Sequence, residues 1–305
     1  MMIQAVLGNP HHPEYGVATI PFPIPHDQYA HCMELLEALE IGDAVKADCK
    51  VEKIDSFYTV LKRAEMLTVN VEELNYLAKR LDSFDTGEAA QFQAMAHKLE
   101  LFELKDLINL TFCCQQATVI TDFSDLDAVG RDHYMNLHGG SASVDELNTL
   151  DGEETARRLI ENGGGTITPY GVVYDNGMKL EQDYEGRLFP CYYYEPNVIT
   201  VAVTSKAEPE DTEHITWLFL PMIQEEIDRA LLRGGITDPA DVRLRLEDSQ
   251  LPNEVDVLLD MEYENLSDLN ELAEATDEIL QLEQFQFVCH RLKLRGLAGV
   301  EAVQP

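Results

Sequence analysis

The histidines, the cysteines and a run of three glycines are the first features to test for a chemical site, and their spacing matches no catalytic or metal-binding pattern. His26 and His31 lie five residues apart, as do His133 and His138, whereas two metal ligands on a helix need a spacing of four. The three glycines at 163–165 lack the Lys-Ser/Thr of a phosphate loop and are typical of a helix end. The sequence therefore predicts no catalytic residue, no cofactor and no metal, and so a protein that is not an enzyme.

Carboxylates are the groups that dominate the composition. The chain has 305 residues, with 56 Asp and Glu against 22 Lys and Arg, and a formal net charge of −34. Nucleic acids and anionic membranes are bound through Lys and Arg, so this balance argues against both as direct partners. Disorder is disfavoured too, because 45% of the residues are hydrophobic. The chain is expected to fold, and to bind something other than a polyanion or to imitate one.

The acidic residues are concentrated and recur at helical spacing. Residues 247–283 hold thirteen Asp or Glu and no Lys or Arg, and residues 106–154 hold ten against Arg131 alone. One carboxylate per turn lies on one solvent face of a helix, where like charges cost about 0.2–0.5 kcal/mol per pair. We interpret this pattern as a working surface rather than a solubility trait. The predicted acidic surface consists of Glu34, Glu37, Glu40, Asp122, Asp125, Asp127, Asp132, Asp145, Glu146, Glu153, Glu154, Asp260, Glu262, Glu264, Asp268, Glu271, Glu274, Asp277 and Glu278.

The elements that carry these carboxylates occur twice. Shifting the sequence by 195 residues, without a gap, places Ile41-Gly42-Asp43 on Ile236-Thr237-Asp238 and residues 70–77 on 265–272. In each copy the alternating pattern predicts a hairpin, then a helix and a third strand, then a second helix with Asn70 or Asn265 as its N-cap. The hairpin strands are expected at 3–7 and 17–24 and at 198–203 and 215–220, and the first helices at 26–40 and 224–233.

The predicted fold class is α+β, an elongated array of small modules with antiparallel sheets and acidic helices. The modules are a first α+β module at 1–102, a middle acidic module at 103–180 and the duplicated copy at 196–305. In the middle we expect a strand at 117–120, a helix at 153–161 and a single strand at 167–174. Residues 191–194 are expected to form a half-buried strand that leads into the second copy.

The cellular compartment of the protein is inferred from its cysteines, its first residues and its apolar runs. The six cysteines form no disulfide framework and are expected to be reduced thiols, mostly buried. The first residues carry no basic leader, and no apolar run approaches the ~18 residues of a membrane span. These features predict a cytoplasmic protein.

Several segments resemble the ArdA antirestriction proteins. They are Ile20-Pro21-Phe22-Pro23-Ile24, VEELNYL at 71–77, Ile108-Asn109-Leu110, SDLDAVGRDHY at 124–134 and GGTITPYGVVY at 164–174. The likeness covers residues 1–175 or so and is a pattern over the whole segment rather than one diagnostic motif.

The resemblance implies a function. ArdA proteins are carried by mobile genetic elements, mimic B-form DNA and occupy the DNA-binding groove of type I restriction-modification enzymes. They are typically elongated, dimeric and non-enzymatic. This chain departs from them in its extra copy at 196–305, which leaves open whether it forms a homodimer. The residues leave two alternatives open, an acidic adaptor for another basic DNA-binding protein and an enzyme with an unrecognised site.

Overall fold

The chain divides into two compact units, Met1–Glu185 and Gly186–Pro305. The structure, a computed structural model, describes residues 3–207, 214–251 and 253–279, with the backbone alone at 253, 254 and 277–279. Both units combine helices with an antiparallel sheet, so the predicted α+β class is confirmed. The three predicted modules fall into these two units, with the first two modules in Met1–Glu185.

The first unit is built on a four-stranded antiparallel sheet of order β2-β1-β3-β4. Its strands are β1 (Ile3–Gly8), β2 (Val17–Phe22), β3 (Cys49–Asp55) and β4 (Thr68–Val69). Alternate side chains of β1 point to opposite faces, so Ile3, Ala5 and Leu7 are buried while Gln4 is exposed. The hairpin of β1 and β2 is therefore confirmed.

Two helices contact the hairpin, α1 (Tyr29–Glu37) and α2 (Val71–Asp82). The helix predicted at 26–40 is shorter than expected, because a 3₁₀ turn occupies His26–Gln28 and Glu40 has a φ of 55°. The predicted N-cap is present, since the Asn70 side chain accepts the Glu73 N–H at 3.1 Å. Asn75 accepts the Ile24 N–H at 2.9 Å, which ties α2 to the end of the hairpin.

The rest of the first unit contains five helices and a small sheet. The helices are α3 (Thr86–Lys98), α4 (Leu104–Leu110), α5 (Leu126–Leu137), α6 (Val144–Thr149) and α7 (Gly152–Glu161). The strands β5 (Thr118–Ile120), β6 (Thr166–Thr168) and β7 (Gly171–Tyr174) pair in the order β5-β7-β6.

The prediction of a single strand at 167–174 is wrong, because the chain reverses direction within this segment. Pro169 and Tyr170 form a turn, the Thr168 hydroxyl accepts the Tyr170 N–H at 3.1 Å, and Gly171 has a φ of 128°. A proline, a side chain that bonds the backbone two residues on and a glycine at positive φ favour a turn over a continuous strand.

The second unit repeats the topology of the first sheet. It contains β8 (Ile199–Ser205), β9 (Thr216–Leu220), α8 (Gln224–Arg233), β10 (Val242–Ser249), α9 (Asn253–Asp256) and α10 (Leu266–Ile279). The strand order β10-β8-β9 corresponds to β3-β1-β2.

The same asparagine contact recurs in both units, and it corrects the alignment of the two copies. Asn270 accepts the Met222 N–H at 2.8 Å, as Asn75 accepts the Ile24 N–H. The asparagines are 195 positions apart but their partners are 198 apart. The shift of 195 without a gap therefore fails in the hairpin, whose connection is longer in the second copy.

The strand expected at 191–194 is absent, and these residues follow an irregular path. Pro190 and Pro196 flank them, and proline cannot donate to a strand ladder. The exposed Tyr193 packs edge-on against Phe219, with ring centroids 5.1 Å apart. Ring packing therefore contributes to the contact of this segment with the second unit, where strand pairing was expected.

The thiols follow the expectation over the described residues. Cys32, Cys49, Cys113 and Cys114 are free and buried and Cys191 is half-buried, whereas Cys289 lies outside the described residues. Burial raises the pKa of the Cys114 thiol. Among residues 3–207, 214–251 and 253–279, no helix has the length and apolar character needed to cross a membrane.

Candidate functional site

Both units are strongly acidic, so the charge is not confined to one end of the chain. Residues 1–185 hold 32 Asp and Glu against 13 Lys and Arg, and residues 186–305 hold 24 against 9. Within the predicted acidic surface, Glu264 and Asp268 are half-buried, and the side chains of Asp277 and Glu278 lie outside the described ones. The other members are exposed.

Helix α1 carries a row of exposed carboxylates. Tyr29, Cys32, Met33 and Leu36 bury one side of the helix, which leaves Glu34 and Glu37 on the other, with Glu40 just beyond its end. Glu34 lies 3.8 Å from His31 Nδ1, a pair that is ionic only when His31 is protonated. Over the part of the chain that the structure describes, Glu37 and Glu40 make no side-chain hydrogen bond or ion pair.

The carboxylates at the N-terminus of α7 and on α5 are engaged in ion pairs. Arg157 lies 2.5 Å from Glu153 and Arg158 lies 2.9 Å from Glu154, each one helical turn further along α7. On α5, Arg131 Nε lies 2.7 Å from Asp127. The hydrogen bond from Arg131 lowers the pKa of Asp127. These three members of the surface are therefore partly neutralised where they stand.

Other members of the middle segment serve as caps and turns. Asp125 accepts the Ala128 N–H at 3.0 Å at the start of α5, and Glu146 forms a capping box with Ser143 at the start of α6. Asp122 accepts the Ser124 N–H at 2.8 Å. Backbone hydrogen bonds lower the pKa of Asp122 and of Glu146, so both stay ionised while they fix local structure.

Two members of the predicted acidic surface in the middle segment are neither paired nor capping among the described residues. Asp145 is exposed on α6. Asp132 is exposed as well, yet partial desolvation raises its pKa, and the charge of Asp125 raises it further. Asp151, which accepts the Glu154 N–H at 3.0 Å and caps α7, was missed, although an acidic residue three positions before Glu154 is a capping signal.

In the second unit the acidic row lies on α10 and the turn before it. Leu269, Leu272 and Ala273 bury one side of α10, and Glu271 and Glu274 are exposed on another. Asp268 and Asn265 bond reciprocally, because Asp268 N–H donates to Asn265 at 2.9 Å and the Asn265 amide donates to Asp268 at 2.7 Å. The predicted cap at Asn265 is therefore present.

The turn before α10 carries the remaining described members of the predicted acidic surface in the second unit. Asp260 accepts the Glu262 N–H at 3.1 Å, and Glu264 follows in the same turn. Asp260 therefore helps to shape the turn that leads into α10, while Glu262 presents an exposed carboxylate.

A partly buried polar cluster that the sequence did not indicate joins α5 to the small sheet. Thr118 Oγ1 lies 3.3 Å from Asn136 Nδ2, 2.9 Å from Asn176 Nδ2 and 2.9 Å from His133 Nδ1. A hydroxyl accepts two hydrogen bonds and donates one. With both amides donating, the Thr118 hydroxyl donates to His133 Nδ1, which must be unprotonated. Burial lowers the pKa of His133 in the same direction.

This cluster predicts an acid-sensitive contribution of His133 to stability. A histidine whose folded-state pKa lies below its unfolded value, about 6.5, contributes fully above that pH and loses its contribution as the pH falls through it. His133→Asn keeps an acceptor near the Nδ1 position but does not titrate. We expect the difference in unfolding midpoint between wild type and this variant to shrink from about pH 7.5 to about pH 5.5. A difference that is constant over this range contradicts the assignment.

The exposed carboxylates of the acidic surface can attract cations electrostatically. Over the described residues, no group of three or more His, Cys, Asp or Glu side chains could hold a metal ion. An exposed carboxylate attracts Arg and Lys of a partner, and salt screens that attraction over about 8–10 Å. No known protein family, curated protein or solved structure matches the chain. The likeness to ArdA proteins stays a prediction from the residues.

Proposed function

We propose that this protein is a DNA mimic that binds and inhibits type I restriction-modification enzymes in the cytoplasm, without enzymatic activity of its own. The observation that carries the proposal is the row of exposed carboxylates on α1, together with a second such row on α10, each opposite a buried apolar side. No Lys or Arg precedes Lys46, and none lies between residues 246 and 290. Two separate acidic rows thus stand in stretches without basic residues.

The spacing of these rows supports duplex DNA as the imitated ligand. Glu34 and Glu37 lie three residues apart on α1, which corresponds to about 4.5 Å of rise, and Glu40 follows three residues later, beyond the end of the helix. One strand of B-DNA carries a phosphate every ~3.4 Å. A groove lined with Lys and Arg for phosphates can therefore meet carboxylates at a similar interval, through charge-assisted hydrogen bonds. The resemblance to ArdA proteins supports a type I enzyme as the target.

Binding is expected to be salt-sensitive and competitive with DNA. Titration of a type I enzyme with this protein should give an affinity that falls about 10- to 100-fold between 50 and 200 mM salt. This fall is smaller than that of DNA with 6–10 phosphate contacts, because a protein condenses fewer counterions. Unmodified duplex should displace the protein, and the protein should protect that duplex from cleavage. Absence of both binding and protection at 50 mM salt would refute the proposal.

The acidic adaptor remains the second candidate, and the same assay separates it. An adaptor would bind a relaxase or a nucleoid protein while leaving restriction of unmodified DNA unchanged. A mimic blocks cleavage in proportion to the fraction of the enzyme that it occupies. Measuring cleavage and occupancy on one sample therefore distinguishes the two functions.

A further inference from the structure

Helix α6 has little to hold it in place. It is six residues long, none of its residues is buried, and Val144 is 73% exposed. An isolated helix of this length is unstable in water, since about 12–15 residues are needed even for favourable sequences. The Ser143–Glu146 capping box satisfies its first turn but attaches it to nothing else. What fixes α6 must come from outside it.

Arg131 on α5 supplies that attachment. Its Nη1 donates to the carbonyl oxygen of Leu147 in α6. Among the residues that the structure describes, this is the one hydrogen bond between α6 and either neighbouring helix. The same guanidinium is oriented by Asp127, with Nε 2.7 Å from Oδ2 and Nη2 3.3 Å from Oδ1. A planar guanidinium holds a carboxylate and a carbonyl at once in a fixed geometry, whereas an ammonium group is a compact charge on a flexible stem.

Asp127 extends this contact to the third helix. Asp127 lies directly against Gly152, the first residue of α7, since a Cβ added at Gly152 would lie 2.6 Å from Asp127 Oδ1. Arg131 and Asp127 together therefore join α5, the end of α6 and the start of α7. Arg131 is also the one Lys or Arg between positions 106 and 154, a stretch with ten carboxylates.

We infer that Arg131 is a positioning residue that fixes α6 against α5 and thereby sets the place of Asp145 and Glu146 in the acidic surface. That the fixed carboxylates serve binding rests on the proposed function. The one cation of the segment thus works in favour of an anionic surface, because it orders more negative charge than it cancels.

For the Arg131→Gln variant, the change in affinity that the inference predicts is opposite to the change that net charge predicts. Arg131→Gln makes the protein more negative, so charge alone predicts tighter binding to a basic groove. Loss of the α6 attachment predicts weaker binding. Arg157→Gln is the matched control, because it makes the same charge change and its one described partner, Glu153, lies on the same helix.

The experiment compares wild type, Arg131→Gln, Arg131→Lys and Arg157→Gln. Affinity for a type I enzyme should fall about fivefold or more in Arg131→Gln, recover partly in Arg131→Lys, and be equal or higher in Arg157→Gln. The slope of log affinity against log salt should shrink by about 1–2 in Arg131→Gln, since Asp145 and Glu146 no longer contribute. A purely structural role with these carboxylates outside the interface would not change that slope.

Hydrogen exchange tests the attachment without a partner. The amides of Leu147 and Leu150, which bond Ser143 and Glu146 oxygens at 3.1 and 3.0 Å, should exchange faster in Arg131→Gln than in Arg157→Gln. Equal exchange in the two variants overturns the inference. Tighter binding by both Gln variants also overturns it and leaves the proposed function standing. Failure of the wild type to bind at low salt removes the proposed function alone, because the exchange result still decides whether Arg131 fixes α6.

Discussion

Gly130→Ala is expected to lower the free energy of unfolding by about 3 kcal/mol, at the upper end of what overpacking costs. A Cβ at Gly130 would lie 1.9 Å from the carbonyl oxygen of Gly152 and 2.6 Å from its carbonyl carbon. Both are backbone atoms, so no side chain can rotate away and helices α5 and α7 must separate. The measurement is urea or thermal unfolding of the whole chain, with a midpoint lowered by roughly 2–4 °C per kcal/mol.

Gly87→Ala is the control for the general effect of replacing a helical glycine. Gly87 lies in the first turn of α3, and its added Cβ would meet the side-chain oxygen of Asp85 at 3.2 Å. Alanine favours a helix over glycine by about 0.5–1 kcal/mol, so this variant should be unchanged or slightly more stable. An equal loss in both variants would show that the contact between Gly130 and Gly152 is not the cause.

The glycine contact explains how α5 and α7 pair with so little apolar burial. Gly130 is the buried residue of α5, and Gly152 and Ala156 are those of α7. The backbones approach closely because neither glycine has a Cβ. The same approach brings Asp127 to the start of α7, so the charged contacts of this region depend on the packing of the glycines.

The sequence predicted the elements whose causes are local. The bounds of α8 at 224–233 follow from apolar periodicity and the two glycines after it, and the structure agrees. The caps at Asn70 and Asn265 were predictable because each involves only the backbone N–H three positions further along the chain. The contact between α5 and α7 was not predictable in this way. A glycine within a helical pattern weakens the prediction of a helix, and it does not indicate which distant glycine it will contact.

The sequence indicated the composition of the acidic surface, but not which of its carboxylates form hydrogen bonds or ion pairs. The pairing of Glu153 with Arg157 could have been read from a spacing of four residues, which is a known helix pattern. The contact of Arg131 with Leu147 could not, since it depends on the fold of the loop between α5 and α6. The structure therefore shifts attention to α1, where Glu37 and Glu40 have no such partners over the described residues.

Replacing Glu34, Glu37 and Glu40 together by Gln is expected to weaken binding to a type I enzyme by roughly 10- to 100-fold. Each carboxylate that pairs with a cation of the groove contributes about 0.5–1 kcal/mol at moderate salt, and tenfold in affinity corresponds to about 1.4 kcal/mol. The fold should be unaffected, because all three side chains are exposed and the buried side of α1 is untouched. Titration at two salt concentrations measures the loss, which should be larger at low salt.

The control replaces three exposed glutamates on separate segments, Glu103, Glu161 and Glu181, by Gln. It makes the same change in net charge, so any effect of long-range attraction on the association rate is equal in the two triple variants. A row of carboxylates that contacts the groove affects the dissociation rate as well. A larger loss for the α1 variant, carried by faster dissociation, therefore identifies a contact surface. Equal losses, confined to association, would mean that the charge attracts the enzyme without α1 entering its groove.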